Sequence, residues 1–346
     1  MPKNRLLPAV IFAIPILAAA FFAYKHWESR DLLSERADIF SRMPAEANVV
    51  VYVDLVQLRS SPFFAQLLAW APQPAPDIEY AQFLQSTGFN YERDLDRLAL
   101  GVNPQSQNLA AFAIAEGRFD RKKIGAYASQ FGSLKTADGK TLYAVPISGS
   151  SRKSFFVFLR DDRIAWANDS SFFQRPSSNP PAEWREHFSR LAGTPLFVIL
   201  RPDSSTASAL AQAPGGLRSP QLASLLSQLQ WISIAGKPDG NLLRVVIDGE
   251  CPVEVTIRQL KEVLGGIAIL AQAGLNDPKT RRQMDPQLRE GYLELLQSVD
   301  IQQLDRGSSK SVRIVFDVTP KLLQAAHNPA AEADPTASAP AKEQSK

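Results

Sequence analysis

Only one cysteine, Cys251, occurs in this chain of 346 residues. That excludes an intramolecular disulfide and a four-cysteine metal site. Beside Pro252 and Val253, the lone thiol reads as buried and inert. It does not follow the N-terminal apolar run, so no acylation at a cysteine is implied. Histidine is nearly as scarce, with three in the chain. His26 stands beside the apolar run and His327 at the start of the C-terminal tail. Only His187 lies within the folded region, in EWREHFSRL, where its charged neighbours predict an exposed helical histidine and not a general acid or base. No HExxH or paired-ligand spacing for zinc occurs. Glycine-rich phosphate loops are missing too. Gly215-Gly216 and Gly265-Gly266 are isolated pairs outside any GxGxxG or GxxxxGK[ST] pattern, and no GxSxG elbow is present. An excess of one charge sign is also absent. The 38 basic and 35 acidic residues leave +3, too even for a nucleic-acid partner.

Two acidic groups remain. Glu92, Asp94 and Asp96 imitate a metal loop but lack the EF-hand glycine and distal glutamate, so they read as a solvated loop. Asp161-Asp162 reads as a turn. The sequence therefore supplies no catalytic, cofactor-binding or metal-ligating residue and no cofactor.

What is present begins with Leu6 to Tyr24, LLPAVIFAIPILAAAFFAY, preceded by Lys3 and Arg5. About 20 apolar residues suffice to cross a hydrocarbon layer of ~30 Å as a helix. Ala18-Ala19-Ala20 would suit a cleavage site. Phe21, Phe22, Ala23 and Tyr24 carry the run past it, and Tyr24 and Trp27 suit a membrane interface. The run reads as an uncleaved signal anchor, with a cleaved signal peptide as the alternative. Either places the bulk of the chain in the periplasm or otherwise outside the cytoplasm, and the uncleaved reading holds it on a single-pass inner-membrane anchor. Basic residues do not settle the orientation, because Lys25, Arg30, Arg36 and Arg42 follow the run.

The expected organisation is a short basic N-terminus (1–5), the anchor (6–24), a juxtamembrane helix (25–43), a first α+β domain (44–175), a linker region (176–190), a second α+β domain (191–327) and a disordered tail (328–346). Trp27, Leu33, Ala37 and Phe40 give the juxtamembrane segment its helical spacing, with Asp38 and Arg42 a possible i,i+4 pair. The tail has no large apolar residue to offset chain entropy.

The fold class is α+β, with two similar sandwich-like halves from a tandem duplication. The first half opens with the β-branched strand at Val49–Val53 and helices at 62–70 and 78–87. Strands at 95–102 and 109–115, a helix at 121–131 and two or three further strands follow. In the second half, Pro195–Leu200 stands for the opening strand, and Leu222, Leu225, Leu226 and Leu229 share a helical face. A hairpin turns at Asp239-Gly240, and a long helix covers 254–273. Its apolar stretch Val263–Ala273 is too short to span a membrane and reads as a core helix. Leu288, Tyr292, Leu295, Leu296 and Val299 mark an amphipathic helix, and a strand at 312–318 leads into a short helix from Pro320. Matching of Leu98–Leu100, Asn103-Pro104, Asn108-Leu109 and Ile114 with Ile232–Ile234, Lys237-Pro238, Asn241-Leu242 and Ile247 carries the duplication. Phe155, Phe156, Phe158 and Trp166 predict a central strand covered on both faces; an exposed apolar patch is the alternative.

The phrase MPAEANVVVYVDLVQLRSSPFFAQLL, through Pro44, Ala45, Tyr52, Val53, Leu55, Ser61 and Pro62, resembles the opening of bacterial envelope proteins of the DUF3352 type. The resemblance covers about one-tenth of the chain. It implies an exported, anchored, repeated α+β protein and no mechanism. The leading expectation is a non-enzymatic interaction or structural protein of the cell envelope, held by residues 6–24 and meeting an envelope protein partner. A lipid- or peptide-binding protein with its site between the halves, or an enzyme using groups not assembled by any motif, are the alternatives.

Overall fold

The computed structural model describes residue 36 and residues 38–70, 78–103, 110–137, 140–147, 152–173, 182–203, 220–307 and 309–327. The apolar run Leu6–Tyr24, most of the juxtamembrane segment, the turn at Asp138-Gly139, the Pro/Ser stretch 175–181 and the tail 328–346 lie outside these. Among the described residues no helix is long and apolar enough to cross a membrane.

In chain order the elements begin β1 (Val49–Asp54), α1 (Leu55–Arg59), α2 (Pro62–Trp70), α3 (Ile78–Thr87), α4 (Tyr91–Asp94), β2 (Leu95–Asn103), β3 (Ala110–Gly117) and α5 (Arg121–Phe131). Next are β4 (Ser133–Ala137), β5 (Lys140–Pro146), β6 (Lys153–Arg160), β7 (Arg163–Ala167) and α6 (Ala182–Leu191). The remainder is β8 (Leu196–Leu200), α7 (Pro220–Leu226), β9 (Trp231–Asp239), β10 (Leu242–Cys251), α8 (Glu254–Asn276), α9 (Pro278–Gln283), α10 (Pro286–Ser298), β11 (Asp300–Arg306), β12 (Ser309–Val318) and α11 (Pro320–His327). The chain separates into two compact units, dividing after Val53, Ile78 and Thr194. The stretch holding α1 and α2 belongs with the C-terminal unit, although the sequence places it in the first half.

In the first unit the strand order is β1-β2-β3-β7-β6-β5-β4. The pairs from β2 onward are antiparallel. Four strands follow α5, where the sequence suggests two or three. α5 starts where the Asp120 side chain accepts from the Lys123 N–H at 3.0 Å, and it buries Ile124, Gly125 and Ala128. Phe40 of the segment before β1 stacks on Phe188 of α6 at 4.1 Å. The Arg36 guanidinium donates to the Ala192 and Thr194 carbonyls. That segment is helical only to Phe40 and turns at Ser41–Met43, short of the helix expected to Met43. Ala182–Leu191, expected within a linker, is a helix whose Trp184 is buried.

In the second unit the order is β8-β9-β10-β12-β11, antiparallel throughout. Pairing of Asp239 with Leu242 makes Gly240-Asn241 the two-residue loop, one position later than the sequence suggests. Gly240 takes φ +58°, the left-handed region that such a loop needs. β11 is an element the sequence reading missed. Its polar sequence DIQQLDR lacks the β-branched run expected of a strand, and it pairs at the sheet edge with β12. The core gathers Phe197, Ile199, Leu222, Leu225, Leu229, Ile257 and Leu260.

Candidate functional site

The acidic residues singled out by sequence do not converge. Asp94 is buried at the end of α4 and accepts from Arg93 Nε and Nη2, both at 2.9 Å, and from the Asn90 N–H at 3.0 Å. The bonds from Arg93, then the Asn90 N–H, hold its carboxyl well below the usual carboxylate range against the opposing effect of burial. Asp96 meets Arg118 at 3.4 Å, which also reaches Asp94, while Glu92 stays exposed. The expected solvated loop is thus a helical turn and a strand start built around a buried, arginine-held aspartate. Among the described residues no group of three or more His, Cys, Asp or Glu could hold a metal ion.

Each unit instead carries an ion network laid across its sheet. In the first, Arg97 of β2 pairs with Glu116 of β3 at 3.1 Å, and Arg163 of β7 joins Glu116 to Asp38. Asp38 also takes Arg160 at 2.9 Å and the expected Arg42 at 3.7 Å. Partial burial pushes the Asp38 carboxyl up, but Arg163, with Arg42 and Arg160, outweighs it and holds it below its ordinary value. In the second, Asp248 of β10 accepts Arg313 Nε and Nη2 from β12, both at 2.8 Å. Arg306 bridges Asp248 at 3.0 Å and Glu250 at 3.2 Å. Burial pushes the Asp248 carboxyl up, yet Arg313 and Arg306 hold it below the usual range. Such cross-strand networks fix register and commit Asp38, Glu116, Asp248 and Glu250 to arginines.

His187 is not exposed, as its charged neighbours suggested, but buried. Trp184, His187 and Phe188 form the i, i+3, i+4 stripe that α6 turns inward, and His187 Nδ1 meets the Arg190 guanidinium. Cys251 is buried, its sulfur 3.4 Å from the Val253 N–H. Phe156 and Phe158 share one face of β6 with Tyr143, whose ring stacks on Phe156 at 4.7 Å. Val157 is buried on the other face, and β6 lies between β5 and β7, as expected for a central strand.

Among the described residues, the two most exposed large apolar side chains stand on α8. Its first turns bury Thr256, Ile257 and Leu260. From Val263 to Asn276 the helix carries no charged residue. Leu264 and Ile267 are half-buried, but Ile269 and Leu270 are 68% and 69% exposed. Gly266, Ile269, Leu270 and Ala273 follow i, i+3, i+4, i+7, one exposed stripe. The sequence reading of Val263–Ala273 as a core helix is therefore corrected. Helical apolarity alone cannot say whether neighbours cover every side, and here the sheet and α10 cover one. A usable signal was present in Gly265, Gly266 and Gly274. A Cβ at any of the three would meet open space, so packing does not demand these glycines in a helix that they weaken.

No family model matches the chain, and no curated protein does. Among solved structures it is similar to TP0453. With crystal form III the identity is 8%, the match covers 83% of this chain and 96% of that one, and the TM-score is 0.47. Crystal form IV gives 7%, 85%, 98% and 0.46.

Proposed function

We propose that this chain is an anchored envelope protein whose bulk lies outside the cytoplasm and which acts by contact rather than catalysis, with the exposed stripe of α8 as its contact surface. Residues 6–24 would serve as the anchor, and the resemblance at Pro44–Pro62 agrees with that setting. The observation carrying the contact role is the pair Ile269 and Leu270, each about two-thirds exposed on the charge-free stretch of α8 from Val263 to Asn276. Hydrophobic groups left in water lose the transfer energy that burial returns, and a covered stripe would recover it. Tandem duplication is the origin we propose for the two units. It is supported by the shared order of strand, helix, hairpin and helix.

The test is photocrosslinking in intact cells with a photoreactive residue at position 270 and a control at exposed position 186. Adducts at 270 and none at 186 are expected. Equal labelling at both, or none at either, would defeat the contact reading. A reporter fused to the C-terminus and found active only in the cytoplasm would defeat the localisation.

A further inference from the structure

Resting on that contact reading, we propose that the exposed stripe of α8 and the cations of α9 together dock on an anionic lipid surface. The stripe Gly266, Ile269, Leu270 and Ala273 runs toward the end of α8 at Asn276. After the single residue Asp277, α9 begins, and it brings Lys279, Arg281 and Arg282, all exposed. Arg281 is held at the junction, its Nη2 donating to the Asn276 side-chain oxygen at 3.3 Å.

These three cations differ from the arginines of the two ion networks and of the Asp94 cluster. Arg93, Arg97, Arg118, Arg160, Arg163, Arg306 and Arg313 each sit on a carboxylate. Lys279, Arg281 and Arg282 have no carboxylate partner among the described residues. The nearby acids are committed as helix caps. Asp277 accepts the Lys279 N–H at 2.8 Å and Asp285 the Gln287 and Leu288 N–H groups at 2.9 Å. There the positive helix end offsets their charge.

An uncharged apolar stripe ending in unneutralised cations is the pattern of a helix lying in a bilayer interface, with its apolar side chains at the acyl boundary and its cations among headgroups. The charge-free stretch from Val263 to Asn276 measures about 20 Å as a helix, too short to cross a layer of ~30 Å, so it would lie along the surface. Each cation near an anionic leaflet strengthens association about fivefold, so three together are worth about a hundredfold. The anchor read at residues 6–24 would supply a bilayer to the same chain. Glycines on the exposed side present no bulk that would hold the helix away from the surface.

The experiment uses the full chain reconstituted into vesicles, with an environment-sensitive dye attached through Leu270→Cys and, separately, Ala273→Cys. Cys251 is 2% exposed and stays unlabelled in the folded protein. Because the anchor keeps the chain on the vesicle, the readout is local depth: dye emission and quenching by nitroxides on the acyl chains. In phosphatidylcholine vesicles carrying phosphatidylglycerol, blue-shifted emission and strong quenching are expected at both positions. Both should fall sharply in pure phosphatidylcholine and in the combined Lys279→Glu, Arg281→Glu, Arg282→Glu variant with unchanged circular dichroism. For that variant the local docking equilibrium should weaken by about a hundredfold or more. Aqueous emission in phosphatidylglycerol vesicles would overturn the proposal. So would a shift that ignores phosphatidylglycerol and grows with protein density, which would make a second copy the occupant. A discrete protein adduct from position 270 in cells, with aqueous dye in vesicles, would sink the lipid inference while leaving the contact reading intact.

Discussion

Helices α5 and α8 start from the same plan and end differently. Each follows the second strand of an antiparallel hairpin, β3 or β10. Each docks through residues spaced i, i+1, i+4, namely Ile124, Gly125 and Ala128 in one and Thr256, Ile257 and Leu260 in the other. α5 has 11 residues and stops at Phe131. α8 has 23, and the exposed side of its extra turns is Gly266, Ile269, Leu270 and Ala273, where α5 exposes Arg121, Lys122 and Lys123, then Ala126, Ser129 and Gln130, with Phe131 at its end. An identical docking pattern thus gives a covering helix in one unit and an uncovered apolar surface in the other. Length and outer-face chemistry make the difference, and the buried contacts do not.

The sharpest way to break this comparison is to empty the docked and undocked parts of α8 in turn. Ile257 is fully buried, so Ile257→Ala should cost about 3 kcal/mol through lost burial and a cavity. Ile269→Ala should change stability by less than about 0.5 kcal/mol, as an exposed substitution does. Urea unfolding of both variants checks this. Equal losses would mean that the stripe is packed and the comparison false.

Smaller effects are expected from the ion network that joins β10 to β11 and β12. Asp248→Asn should cost about 2 kcal/mol near neutral pH, because Arg313 and Arg306 lose a charged, hydrogen-bonded acceptor in a buried setting. The pH dependence has a definite sign. The folded-state carboxyl is held below its ordinary value. Its contribution is therefore complete above the unfolded value of about 3.9 and disappears as the pH falls through the lower folded value. Unfolding midpoints from neutral pH down into that acid range should converge for wild type and Asp248→Asn. A constant gap would remove Asp248 from the titration.

Least in magnitude are the glycines, which also sharpen the contrast most directly. Gly266→Ala should stabilise by about 1 kcal/mol, since its Cβ meets open space within a helix. Gly125→Ala in α5 places a Cβ 2.8 Å from the Tyr143 hydroxyl. It should gain nothing and lose about 1 kcal/mol as the stacked Tyr143 ring gives way. Thermal melts of the two variants should move in opposite directions. Shifts of the same sign would show that the two helices face alike environments.

Much of this architecture was legible in the chain. Pro62 and Gly88 bracket the first helices, and helical periodicity located Arg121–Phe131 and the start of α8. β-Branched runs located β1 and β8. Strand β11 was not legible because it is polar and depends on β12 for its hydrogen bonds. The placement of α1 and α2 with the C-terminal unit was equally hidden, since local pattern carries no information about which core receives a helix. Burial of His187 was hidden by the charged Arg185, Glu186 and Arg190 around it, whereas the stripe it shares on the helix is Trp184 and Phe188.

By itself, then, the sequence determined the periodicities, the turn chemistry and the lack of any catalytic motif, because those depend on residues within a few positions of one another. Tertiary structure alone decided which apolar faces are covered. Val263–Ala273 is equally hydrophobic whether buried or bare, and only the presence or absence of a neighbour across from Ile269 and Leu270 turns a core helix into a surface for contact.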